Sequence, residues 1–132
     1  MDANCVGTLH MTNQEMHDHV IGICTARDIL VNWCKRPSQS HAVHEFEEIW
    51  IAPIKSRFSY ATALHEVGHI LGAHQQSRNL MVRERWAWKW ARSNAREWSS
   101  AMESYAQSSL DGYQKQINAG RLPRELPNER IF

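Results

Sequence analysis

The sequence predicts a mostly helical α+β domain in which a small antiparallel sheet packs against one central helix. Three stretches carry that reading. Tyr60–Gly72 has the apolar spacing of a helix and closes on a glycine. Glu48–Ala52 clusters β-branched and aromatic residues ahead of Pro53. Asn79–Leu110 repeats apolar residues at steps of three and four. At 132 residues, with 42% hydrophobic and 22% charged content, the chain suits one domain over residues 1–132 with a single core.

Taken in order, residues 12–35 read as mostly helical. Thr12 and Glu15 have capping-box spacing, and Ile29, Leu30 and Trp33 extend an apolar stripe. Arg36–Ser40, with its proline, is a break. A strand is expected at 47–52, paired with a short one near 42–46. Ser56 or Ser59 can cap the helix that follows. Leu64, Val67, Gly68 and Leu71 form its buried side, and Gly68 admits the close approach of another element.

After a loop at 73–78, one long helical signal places Glu84, Ala87, Trp88, Ala91, Ala95, Trp98, Met102 and Tyr105 on a common face. Trp86 and Trp90 lie on a neighbouring one. Four of the six tryptophans fall between Trp86 and Trp98, and core packing is their ordinary role. Gly120–Phe132, with two prolines, is expected to wrap loosely as a flexible tail.

Composition excludes several classes. A formal net charge of +1 leaves no electrostatic footprint for nucleic acid or an anionic membrane. No apolar run is long enough to span a bilayer, and Met1–Thr12 lacks the basic-then-apolar order of a secretory signal. Cys5, Cys24 and Cys34 make no C-x-x-C pair. Their odd number, without a signal, reads as reduced thiols in the cytoplasm and argues against a thiolate zinc site.

His65-Glu66-Val67-Gly68-His69 is an H-E-x-x-H motif. Residues four apart share one helix face, a turn above each other. Two imidazoles so placed can bind one zinc ion, and Glu66 stands where it can take a proton from a zinc-bound water. With 8 histidines and ten glutamates in the chain, chance supplies only about 0.04 such motifs.

A catalytic zinc needs a third protein ligand. Glu84 lies on the apolar stripe of the next helix, where a carboxylate is costly to bury unless paired or metal-bound. A helix–loop–helix return brings it over the motif. The alternative is His74, which follows Gly72 as the third histidine of a metzincin follows its glycine. Metzincins place two residues between glycine and histidine; here there is one, and the matching position is Gln75. The remaining histidines, His10, His17, His19, His41 and His44, read as surface residues.

Arg57-Phe58 and Thr62 through Gly72 resemble the active helix of ImmA/IrrE-like zinc metallopeptidases, and a strand ending in proline precedes it there too. Glu84, Ala87, Trp90 and Ala91 follow that family's later E-x-E-A-N-x-F-A pattern, with Trp86 and Trp88 in place of its second Glu and its Asn. The resemblance covers residues 47 to 92. It implies a minimal zincin, a cytoplasmic peptidase with a small sheet, the motif helix and a following helix that completes the site; on the residues of this chain His65, His69 and Glu84, or His74 in its place, would hold Zn2+ and Glu66 would be the catalytic base. It also implies a protein or peptide substrate, such as a repressor or other regulatory protein. The substrate is expected to lie along the edge of the 47–52 strand by strand addition. No oxyanion-stabilising side chain is identifiable; Tyr60 is too near the motif on the same helix. The alternative is a non-catalytic binding or regulatory protein on the same scaffold, acting through the Trp-rich helix.

Overall fold

The computed structural model describes residues 10–127. Helix α1, Asn13–Ala26, starts as its capping box requires: Thr12 Oγ1 accepts from the Glu15 N–H, and the Glu15 carboxylate accepts from the Thr12 N–H. The helix does not run on to residue 35. Asp28 takes φ 57°, a left-handed turn that a short polar side chain tolerates and a continuing helix does not. Leu30–Trp33 follows as strand β1.

Strand β3, Glu48–Ile51, falls within the expected 47–52, while its partner β2, His41–Val43, is shifted from the expected 42–46 because His44–Phe46 turns as a 3-10 helix. The sheet order is β1-β3-β2, with β1 parallel and β2 antiparallel to β3. The sheet is therefore mixed, where the sequence predicts antiparallel pairing alone.

This order corrects one expectation. β3 is bonded on both sides, so no substrate can extend along it; the free edges belong to β1 and β2. The ladder also fixes which groups are free. Leu30 N–H donates to the Glu47 carbonyl and Cys34 N–H to that of Ile51, so Ile49 and Ile51 turn their backbone groups toward β1. Glu48 and Trp50 then face Val43 and His41. Ala42, between those two, turns its N–H and C=O outward.

Helix α2, Arg57–Leu71, carries the motif and sits at the centre of the core. Ser56 caps it by accepting from the Ser59 N–H at 3.1 Å. Tyr60, Leu64 and Val67 of α2 are fully buried, against Ile49 and Ile51 from β3 and Met16 and Val20 from α1. The expected long helix is two: α3, Leu80–Asn94, and α4, Ser100–Asn118. No glycine or proline marks the break. Tertiary bonds make it: the Arg96 N–H donates to the Tyr60 hydroxyl, and the buried Glu97 carboxylate accepts from the Arg57 guanidinium and the Met11 N–H. Ser99 then caps α4.

Gly68 performs its expected role. A Cβ there would run into the Ala87 carbonyl, so α2 and α3 cross closely because residue 68 has no side chain. Gly72 ends α2 at φ −73°, a conformation any residue adopts. Its own Cβ would meet the Gly68 and Trp86 carbonyl oxygens at 2.5 and 3.2 Å, so closeness and not backbone freedom requires it.

Trp88 is buried, Trp90 and Trp98 pack against the core, and Trp86 lies against His74. The described part of the tail is tied down. The Leu80 N–H, an orphan donor at the start of α3, bonds the Arg124 carbonyl at 2.9 Å, and the Leu126 N–H bonds that of Arg78 at 2.7 Å. The expected looseness of residues 128–132, like the reading of Met1–Leu9 and Cys5, lies outside the described residues. No helix among the described residues is long and apolar enough to cross a membrane.

Candidate metal centre

The close crossing of α2 and α3 sets Glu84 over the motif face. Glu84 Oε1 is 3.0 Å from His65 Nε2, and Glu84 Oε2 is 2.9 Å from His69 Nε2. One ligand atom from each residue lies within 4.8 Å of the others. Zinc bonds of about 2.0–2.1 Å in a tetrahedron separate neighbouring ligand atoms by roughly 3.3 Å, so three atoms within 4.8 Å of one another are near enough to converge on one ion. The donor set is two imidazoles and a carboxylate, and Glu84, at 4% exposure, has no Lys or Arg partner among the described residues. Such a set fits zinc.

His74 is not brought into this cluster; it is exposed and packs on Trp86. No described cysteine joins it either. Cys24 is buried, with burial pushing its thiol up to about 11, and Cys34 is half-buried.

The ring orientations are fixed from outside. His69 Nδ1 is 2.9 Å from Gln75 Oε1. The Gln75 amide nitrogen is already committed to the Ala73 and Arg83 carbonyls at 3.1 and 2.9 Å. Its oxygen must therefore face the histidine and can only accept, so His69 Nδ1 donates to it and Nε2 is the ring nitrogen turned to Glu84. Sequence reading noted Gln75 only as the position of the missing metzincin histidine. His65 is held differently: its ring stacks on Trp88 at 4.2 Å and 16°, and its Nδ1 is 3.5 Å from Glu66 Oε2.

Burial alone would push His65 down, but hydrogen bonds to Glu66 and Glu84 override it and, without a cation, raise it to about 9. Burial likewise opposes the charged form of Glu84, and the hydrogen bonds from His65 and His69 overcome it, holding the carboxyl well below its usual range. The sign of the linkage follows. The raised imidazole stabilises the metal-free fold fully below its unfolded value of 6.5 and ceases to do so as pH rises toward 9. The depressed carboxylate contributes above its unfolded value of 4.5. Chelated protein is therefore expected to be most stable between those limits and to lose Tm from pH 6.5 to 9. Zinc affinity should rise over the same interval as the competing proton leaves. Thermal melts with chelator and with zinc at five pH values check both slopes.

The cluster forms one wall of a cleft of about 230 Å³. Ser40 to Glu45, on β2 and the turn after it, form another wall, and Tyr113 of α4 enters from a third side. His41 and His44 thus border the cleft, where the sequence reading left them as surface residues. Tyr60 does not: it is fully buried, bonded to His19 and the Arg96 N–H. Tyr113 was missed, because only the break before α4 aims that helix at the cleft. Its hydroxyl has no hydrogen-bond partner among the described residues. Burial, then the charges of Glu84 and Glu66, push it upward, so it stays a neutral phenol. Comparison with protein-family models, curated proteins and solved structures finds no match for this chain.

Proposed function

We propose that the protein is a zinc-dependent peptidase of the ImmA/IrrE-like kind, acting in the cytoplasm on an extended segment of a protein substrate. The observation that carries this reading is the convergence of His65 Nε2, His69 Nε2 and a Glu84 oxygen beside Glu66, at the wall of an open cleft. His65, His69 and Glu84 would hold the zinc, leaving the cleft side for water and substrate. When bound, zinc supplies a Lewis acid that polarises a carbonyl and makes water acidic.

The chain's own groups account for the rest. Glu66 accepts the proton of the attacking water and delivers it to the leaving amine, so that one water is consumed for each peptide bond broken. The substrate adds as a strand to β2, pairing with the outward N–H and C=O of Ala42. The Tyr113 phenol donates to the oxyanion as the carbonyl becomes tetrahedral.

Two measurements test this. Zinc-loaded protein is expected to hydrolyse unfolded protein or peptide substrates, to stop on chelation, and to resume when zinc is restored. No hydrolysis of any segment of an unfolded-protein panel by zinc-loaded protein would contradict it. Tyr113→Phe should keep zinc and KM while kcat falls about 10²- to 10³-fold; an unchanged kcat removes Tyr113 from the mechanism.

A further inference from the structure

His74 and Trp86 were singled out by the sequence and are used neither by the zinc site nor by the core. Their positions are informative. His74 holds φ 58°, in the left-handed region that a non-glycine side chain disfavours. The turn it begins is closed by a bond from the Ser77 N–H to its own carbonyl at 3.1 Å. Its ring packs on Trp86 with centroids 4.6 Å apart at 56°, and Lys89 Nζ lies 4.4 Å from the centre of the same indole. The next residue reverses direction: His74 is exposed, while Gln75, at 5% exposure, points inward to His69.

We propose that His74 is a positioning residue for the metal centre. Its left-handed backbone turns Gln75 back toward His69, and its ring, seated on Trp86, holds that turn shut. Strain at one residue persists only where its surroundings over-determine it, and here the Trp86 contact and the closed turn do so. The buried end of the device is the Gln75 amide, whose two bonds to backbone carbonyls leave its oxygen for His69 Nδ1 alone. The loop therefore fixes the His69 ring by its Nδ1 and keeps Nε2 as the nitrogen turned to the metal position. This inference rests on the reading of His69 as a zinc ligand.

The test compares His74→Ala, Gln75→Ala, the double variant and His74→Phe with wild type. It uses zinc titration against a competing chelator and ¹⁵N ring shifts of His69 in chelated protein. His74→Ala and Gln75→Ala are each expected to lose about 10- to 100-fold in zinc affinity. The double variant should lose no more than Gln75→Ala, because one acts through the other. His74→Phe, which keeps a ring for Trp86, should bind zinc close to wild type. In chelated wild type the His69 Nδ1 resonance should carry the shift of an N–H held in a hydrogen bond, and in His74→Ala that signature should be lost.

Wild-type affinity in His74→Ala, losses that add in the double variant, or an unchanged His69 Nδ1 signature would each overturn the proposal. Weakened zinc in His74→Phe would remove the ring from it. If wild type binds no zinc, the metal reading is what fails, and the His69 Nδ1 signature in the chelated variants still decides the latch.

Discussion

Glu66→Gln is expected to keep one zinc per chain and to lose about 10²- to 10⁴-fold in kcat, the range attributable to a positioned general base. The substitution is nearly isosteric and removes the one property the mechanism asks of this side chain, its affinity for a proton. Glu66 is only 6% exposed, and its ionic contact among the described residues is to His65, with Nδ1 at 3.5 Å from Oε2. The amide retains the size of the group, so packing around α2 should survive and Tm should move little. Rates measured on zinc-loaded wild type and variant at equal metal content isolate the proton transfer. Turnover by Glu66→Gln at the wild-type rate would remove Glu66 from the chemistry, while loss of its zinc would mean that Glu66 holds metal.

Glu84→Ala carries the larger effect on metal. Its two oxygens face two imidazoles at 3.0 and 2.9 Å and have no other ionic partner among the described residues. Removing it takes away one of three protein ligands and one of the two carboxylates that hold a proton on His65. The loss in zinc affinity should exceed the ~10- to 100-fold that follows from losing an outer hydrogen-bond partner, leaving the variant metal-free at zinc concentrations that saturate wild type. The high-pH decline of Tm should become shallower in the metal-free variant, because His65 keeps Glu66 but loses Glu84. Retention of stoichiometric zinc by Glu84→Ala would contradict the ligand assignment.

What the sequence disclosed, and what it withheld, follows the range of the interactions involved. The Thr12 capping box, the β3 run closed by Pro53 and the motif helix are local patterns, and all three stand in the structure. Glu84 was legible because a carboxylate on an apolar stripe demands an explanation. β1 was not, because its partner is a parallel strand farther along the chain, and Ile29, Leu30 and Trp33 fit a helix as well as a strand. Nor was the break at Ala95–Ser99, which is made by Tyr60, Arg57 and Met11 and not by any local breaker. Tyr113 and Gln75 depend on those long-range choices. One enters the cleft only when α4 is redirected, and the other acts only when the Ala73 and Arg83 carbonyls occupy its amide.

The aromatic helix is explained by the same packing. Trp88 lies flat against His65, so the residue that fills the core also fixes the plane of the buried imidazole. Trp90 and Trp98 pack on the core cluster, and Trp86 is occupied by His74 and Lys89. Trp86, Trp90 and Trp98 each remain half-buried.

Zinc-edge X-ray absorption on the zinc-loaded protein tests the metal centre most directly. One zinc per chain is expected, with nitrogen and oxygen neighbours at about 2.0–2.2 Å, the imidazole signature of two histidines, and the loss of this spectrum in Glu84→Ala. A sulfur shell at about 2.3 Å, a third imidazole that disappears in His74→Ala, or no bound zinc in wild type would contradict it.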